Sequence, residues 1–268
     1  MDIINSIILL LNYIIVPALS YGSQLSIGAI FVTLIYGILR FANFSTGDMM
    51  SFGTMFVILF TWYFQSKGIS LGLLPTALLA LPLGIIFMIL YMLTIDKIVF
   101  SYYRIKKSPP VVLAMVSIGV MFVTQALVRI IIGPFDRRFF DGEKFILKAN
   151  QFKEMTGLNE GLTIKSTQVL TLVITIIVAA ILFWFLNKTK TGKSMRAYSD
   201  NEDLALLSGI DPKRVVMITW IIAGILATVG GVLYGLDKSF KPFTYFNKML
   251  PIFAAAIVGG IGNPFGAF

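Results

Sequence analysis

The run LTLVITIIVAAILFWFL, residues 170–186, carries no charged residue, and neither does VVMITWIIAGILATVGGVLYGL, residues 215–236. Strands of a membrane barrel would alternate polar and apolar positions over about ten residues. Continuous apolar runs of about 17 residues or more read instead as helices that cross a bilayer, since a helix satisfies its own backbone where there is no water. Between the two lies GKSMRAYSDNEDLALLSGIDP, residues 192–212, a charged interruption with helix-capping residues at its centre. Two apolar helices joined by a polar hinge set the class: an all-α, polytopic transmembrane helical bundle.

Moving outward, further apolar segments cover 3–19, 24–39, 49–64, 71–95, 110–132, 167–186, 215–236 and 250–261. That predicts about seven or eight membrane segments in one transmembrane domain, residues 1–268, the count depending on whether 3–19 crosses. Pro17 and Gly22 are placed to bend the first pair. Met1-Asp2 offers no basic region ahead of the first run, so 3–19 reads as retained rather than as a cleaved signal. The whole chain agrees: 57% of its 268 residues are hydrophobic and 13% charged, with a mean hydropathy of +0.87.

There is no Cys and no His, which removes thiol nucleophiles, Ser-His-Asp triads, Cys/His zinc sites and haem ligation together. No catalytic residue, metal site or cofactor is expected, and a membrane enzyme is disfavoured. The net charge of +9 comes from bases in short loops, where they set topology and meet lipid headgroups rather than nucleic acid. If every segment crosses, loops 40–47, 100–109 and 187–214 share one side and 65–70, 133–166 and 237–249 the other. Lys and Arg divide equally between the two, and only Arg104-Ile105-Lys106-Lys107 leans the first side toward the cytoplasm. Loop 133–166 mixes bases with Asp136, Asp141, Glu143, Glu154 and Glu160, and with Gly142, Gly157 and Gly161; it reads as a solvated connector or a docking cap.

Within the hinge, Ser199-Asp200-Asn201-Glu202 fits a capping box, with Ser199 as N-cap and Glu202 reaching back. Asp200, Glu202 and Asp203 suit the positive end of the helix dipole. Gly209 suits a left-handed stop, and Asp211-Pro212 the start of the next helix. A helix of two turns is unstable alone, so this one needs a surface under Leu204, Leu206 and Leu207, with Ala205 and Gly209 as a strip of close approach. A soluble partner and the protein's own bundle or lipid are both open as that surface.

Two further stretches break the apolar pattern. In 40–48, Asn43, Ser45, Thr46 and Gly47 can satisfy backbone that leaves helical geometry around Phe44. In 259–266, Gly259, Gly260, Gly262 and Asn263 follow a run too short to span and predict a broken or re-entrant helix. Broken segments in two halves of a membrane protein point to a translocation pathway, although each alone also fits a surface loop. Asp96 and Lys97 read as a pair or as snorkelling ends, Arg129 as reaching the interface, and Ser117, Thr124 and Gln125 as interhelical glue.

At these three places, 36–47, 192–215 and 255–267, the sequence resembles the permease subunit of the branched-chain amino-acid ABC importers, in that family's order and spacing. The resemblance implies that the segment around Ser199, Asp200, Glu202, Leu204, Ala205 and Gly209 couples to a cytoplasmic ATPase. It also implies a second homologous permease, two ATPase subunits, an extracytoplasmic solute-binding protein and an inner-membrane location. Loop 187–214 is then cytoplasmic and 133–166 extracytoplasmic. Thr46 stands where similar proteins commonly carry His, and the chain stops at Phe268 where they continue into a further segment, which predicts a truncated C-terminal end. Urea, short amides or another small solute remain alternative cargoes, and a self-sufficient secondary transporter or channel the alternative class.

Overall fold

The computed structural model describes residues 2–72, 74–139, 145–158 and 160–268. Helix α1 (Asp2–Leu10), a π-helical turn (Leu11–Ile15) and α2 (Val16–Leu39) form one rod. The two segments expected at 3–19 and 24–39 are therefore a single helix, and neither Pro17 nor Gly22 breaks it. The reason lies in the π turn just ahead of Pro17: Val16 N–H reaches back to Leu11 O, and the wider turn makes room for a proline ring that would collide with an ordinary preceding turn. From Ile4 to Leu39 the rod has 36 residues, about 54 Å at 1.5 Å per residue, well beyond the roughly 30 Å of hydrocarbon.

Next come α3 (Thr46–Ser66) and α4 (Ala77–Ile95), which continues through a second π turn (Asp96–Phe100) into α5 (Ser101–Ile105). Helix α6 (Pro110–Ile132) leads to a small cap built from β1 (Phe145–Leu147), α7 (Ala149–Thr156) and β2 (Ile164–Lys165). The strands are antiparallel, Phe145 opposite Lys165 and Leu147 opposite Ile164. The remaining helices are α8 (Ser166–Lys188), α9 (Lys190–Asp200), α10 (Glu202–Leu207), α11 (Pro212–Lys238), α12 (Pro242–Gly259) and α13 (Pro264–Ala267).

Among the described residues five helices are long and apolar enough to cross a membrane: 4–39, 77–105, 110–132, 166–188 and 212–238. The last is the axis of the fold. Helix α11 packs on α2, α3 and α4, and its Ala223, Ala227 and Val232 are fully buried. Small residues along it let backbones come close, which is how helices associate where lipid offers no hydrophobic drive. By contrast α8 turns Val173, Ile176, Ile177, Ile181 and Trp184 outward. A face of that width suits acyl chains rather than water.

Loop contacts sort into two ends. At one, Trp62 Nε1 donates to Arg138 O (2.9 Å), Gln65 Nε2 to Phe139 O (2.7 Å), and Arg137 and Phe240 exchange backbone hydrogen bonds (2.8 Å each). Asn12 Oδ1 accepts from Thr163 N (3.2 Å) at the same end. The described residues of segments 65–70, 133–166 and 237–249 thus lie together, and the cap is tied to the bundle at Arg137, Arg138, Phe139 and Thr163. Asp141, Gly142, Glu143 and Lys144 lie outside the described residues.

Candidate functional site

Toward the opposite end the three sequence motifs meet, the first running from there into the bundle. Helix α2 stops at Arg40, which takes a left-handed φ of 58° while its N–H still reaches Tyr36 O at 2.9 Å. The following backbone is held by its own side chains. Asn43 Oδ1 accepts from Ser45 N (3.1 Å) and Ser45 Oγ (2.6 Å), and Thr46 Oγ1 donates to Asn43 O (2.6 Å). Phe44 N donates to Ser117 Oγ (3.0 Å), and the Phe44 ring stacks on Phe253 of α12 at 5.5 Å. Gly47 lies directly against the Tyr245 carbonyl, where a side chain would collide.

The hinge between α8 and α11 is two helices, not one, and its capping differs from the sequence expectation. Ser199 is not an N-cap: it sits in the last turn of α9, and its Oγ donates to Gly37 O at 2.9 Å. Glu202 accepts from Tyr198 OH (2.6 Å) instead of reaching back to a cap. Burial, reinforced by that bond, pushes the Tyr198 phenol above its ordinary pKa. The N-cap of α10 is Asn201, whose Oδ1 accepts from Leu204 N at 3.0 Å. Gly209 does end the helix with φ of 79°, and Asp211 caps α11 by accepting from Lys213 N at 2.9 Å. Asp200 is exposed at the end of α9.

The expected apolar underside is mostly on top. Only Ala205 is buried, whereas Leu204 is 63% and Leu207 89% exposed, with Leu206 also outward. The short helix therefore rests on its alanine and presents leucines away from the bundle.

The third motif folds back on itself. Helix α12 ends at Gly259, the chain turns through Gly260 and Gly262 at φ of 100° and 84°, and Asn263 caps α13 by accepting from Phe265 N (3.1 Å) and Gly266 N (3.4 Å). Gly259 and Gly266 touch backbone to backbone, which a Cβ on either would prevent.

All three motifs meet at Gly37. A Cβ there would stand 3.2 Å from Ser199 Oγ, 3.4 Å from Gly262 O and 3.5 Å from Gly262 Cα. Arg40 closes the same junction by donating from its guanidinium to Ser199 O. Beneath it Phe41, Phe100 and Trp220 stack at 5.2 and 5.3 Å. Asp96 does not pair with Lys97. Presented by the second π turn, its carboxylate receives Arg104 through two bonds (2.8 and 3.1 Å) and Trp220 Nε1 (2.7 Å). Gly37 lies within 36–47, but nothing in a one-dimensional pattern marks the spot where distant loops touch. A second omission is Asp48, 1% exposed, with neither carboxylate oxygen hydrogen-bonded and Gln125 and Arg129 of α6 as its polar neighbours. Its signal was available: a lone carboxylate one residue after Gly47, at the head of an apolar run.

Comparison with known proteins matches residues 14–268 to the family described as branched-chain amino acid transport system / permease component. The chain is 26% identical over 250 residues to the high-affinity branched-chain amino acid transport system permease protein LivH of Escherichia coli (strain K12), covering 92% of this chain and 78% of that one. It is 25% identical over 255 residues to BraD, named for the same transport system in Pseudomonas aeruginosa, covering 94% and 80%. A shorter match, 33% over 115 residues, reaches 41% of this chain and 31% of the nucleoside ABC transporter permease protein NupB of Lactococcus lactis. No solved structure matches. The extent of the match, on a helical fold with five helices among the described residues long and apolar enough to cross a membrane, makes this chain a multi-pass membrane protein and a transport component, not itself an enzyme, that belongs to the branched-chain amino acid permease family.

Proposed function

We propose that this chain is one half of the translocation pathway of an ATP-driven importer for branched-chain amino acids in the inner membrane. In this reading α10 docks on a cytoplasmic ATPase, a second homologous permease completes the pathway, and an extracytoplasmic binding protein delivers the solute beside the 133–166 cap. Helices α3 and α12, packed into the bundle though outside the five most apolar spans, bring the membrane segments to seven. Amino acids are favoured because the long matches, LivH and BraD, are named for branched-chain amino acid transport, whereas the nucleoside permease matches only a part of the chain.

The observation that carries the coupling reading is the Gly37 junction beneath the outward leucines of α10. Force applied to Leu204 and Leu207 passes through Tyr198–Glu202 and Ser199 to the ends of both broken segments, Arg40–Thr46 and Gly259–Asn263. ATP-driven closure of the ATPases then shifts these ends together and biases the pathway between outward- and inward-facing states.

Leu207→Asp tests this at little folding cost, since the side chain is 89% exposed. A charge in the centre of a docked apolar patch costs about 2 kcal/mol or more, so co-purification of the ATPase and ATP-driven leucine uptake should both fall at least tenfold with the chain still present in the membrane. Unchanged co-purification would falsify the docking role.

A further inference from the structure

At the end of the bundle away from Gly37, helices α2, α11 and α12, with Met50 of α3, line a small open hollow whose walls include Gln24, Leu25, Tyr234, Lys248 and Ile252. Lys248 belongs to α12, where a cation inside a membrane bundle normally finds an acidic partner. Here its Nζ lies 4.3 Å from the Tyr21 ring centre and 4.5 Å from that of Tyr234, and donates to Tyr21 OH at 3.2 Å. Among the described residues no carboxylate stands within ion-pair distance of it. Across the hollow, Gln24 is 3% exposed and its Oε1 has no hydrogen-bond partner. Its Nε2 donates to Asp237 Oδ2 at 3.5 Å, a carboxylate only 8% exposed that meets Lys238 at 3.8 Å.

A cation lacking an anion and an orphan amide oxygen thus share one hollow with an apolar floor of Leu25, Met50 and Ile252, and the Asp237 carboxylate stands behind Gln24. Each polar group is costly to bury as it stands and gains from a charged partner. We propose that this is a binding site for the zwitterionic head group of an aliphatic amino acid. Lys248 takes the α-carboxylate, Gln24 Oε1 and Asp237 take the ammonium, and Leu25 and Ile252 meet the hydrocarbon side chain. The site rests on the amino-acid cargo proposed above and names where the bundle first receives it. It lies at the same end as the 133–166 cap, since Asp237 stands one turn before Phe240, the residue paired with Arg137. The hollow measures about 10 Å³, room for about one water, so an amino acid fits only when its walls part. A solute enters as its carboxylate draws Lys248 off the two rings.

The test is ligand-observed NMR on the full chain in lipid nanodiscs, titrating L-leucine, L-leucinamide, which lacks the carboxylate, and 4-methylpentanoate, which lacks the ammonium. Each analogue should bind about tenfold more weakly than leucine or worse, as each forgoes one charge-assisted contact. Lys248→Met should erase the preference for leucine over leucinamide and keep that over 4-methylpentanoate; Asp237→Asn should do the reverse. Lys248→Arg should restore the wild-type order. Identical selectivity in wild type and Lys248→Met overturns the site, and so does loss of all binding in both Lys248→Met and Lys248→Arg, which marks a packing role. Wild type that ignores leucine while still co-purifying its ATPase overturns the site and leaves the importer standing. Charge-selective leucine binding without ATPase co-purification does the opposite.

Discussion

Gly37 matters because of what it lacks. With a hydrogen in place of a methyl, the end of α2 can touch the last turn of α9 and the Gly262 turn at once, and Ser199 can reach the Gly37 carbonyl. Alanine would meet contacts of 3.2–3.5 Å, tight but within reach of small shifts. Leucine would have to displace one neighbour, at about 1–3 kcal/mol for forced overpacking. Gly37→Leu should therefore abolish ATP-driven uptake while the ATPase still co-purifies, because the outward face of α10 is untouched; Gly37→Ala should keep most uptake. Full uptake in the leucine variant would show that force does not pass through this point. Asp96 makes the complementary case, for its role depends on what surrounds it. A carboxylate next to Lys97 in sequence invites a local pair, but the π turn points it at Arg104 and the Trp220 indole, giving it three charge-assisted or polar donors that a neighbour in sequence could not supply.

At the level of elements, the hinge shows how tertiary bonds choose among local options. Both Ser199 and Asn201 are good N-cap residues followed by acids, and the capping-box spacing favours Ser199. The serine is taken by the Gly37 carbonyl, so α9 runs on to Asp200 and Asn201 starts the next helix. Asn201→Ala should raise hydrogen-exchange rates of the amides in 203–207 by roughly fivefold, the effect of losing a cap worth about 1 kcal/mol. Ser199→Ala should leave those amides nearly as they are and loosen the end of α2 instead. Equal acceleration of 203–207 by both variants would return the cap to Ser199. The rod from α1 to α2 makes the same point from the other direction: Pro17 is a break signal that the π turn at Leu11–Ile15 absorbs, and no sequence pattern distinguishes a proline that ends a helix from one that a wide turn accommodates.

For the molecule as a whole, the two ends are chemically even in Lys and Arg, so orientation rests on architecture. Without a native cysteine, single replacements report sidedness cleanly. Lys190→Cys, exposed at the start of α9, should label only with reagent applied to the cytoplasmic face, and Lys153→Cys in the cap only from outside; the opposite pattern, or labelling of both from one face, would overturn the proposed topology. That Arg40 and the 187–214 hinge lie together at one end, and the described residues of 65–70, 133–166 and 237–249 at the other, agrees with counting spans. It survives the merging of 3–19 with 24–39 because the fused helix still delivers Arg40 to the same end. Helical class, membrane residence and family were legible in the chain because they depend on local properties: unbroken apolar runs, and glycine and polar residues at set spacings in the stretches that break them. Which groups meet was not. Gly37 with Ser199 and Gly262, Lys248 with Tyr21 and Gln24, and leucines turned outward over a buried Ala205 all depend on how helices far apart in sequence rotate against one another. Small residues along α11 permit such packing without encoding which side chains it brings together.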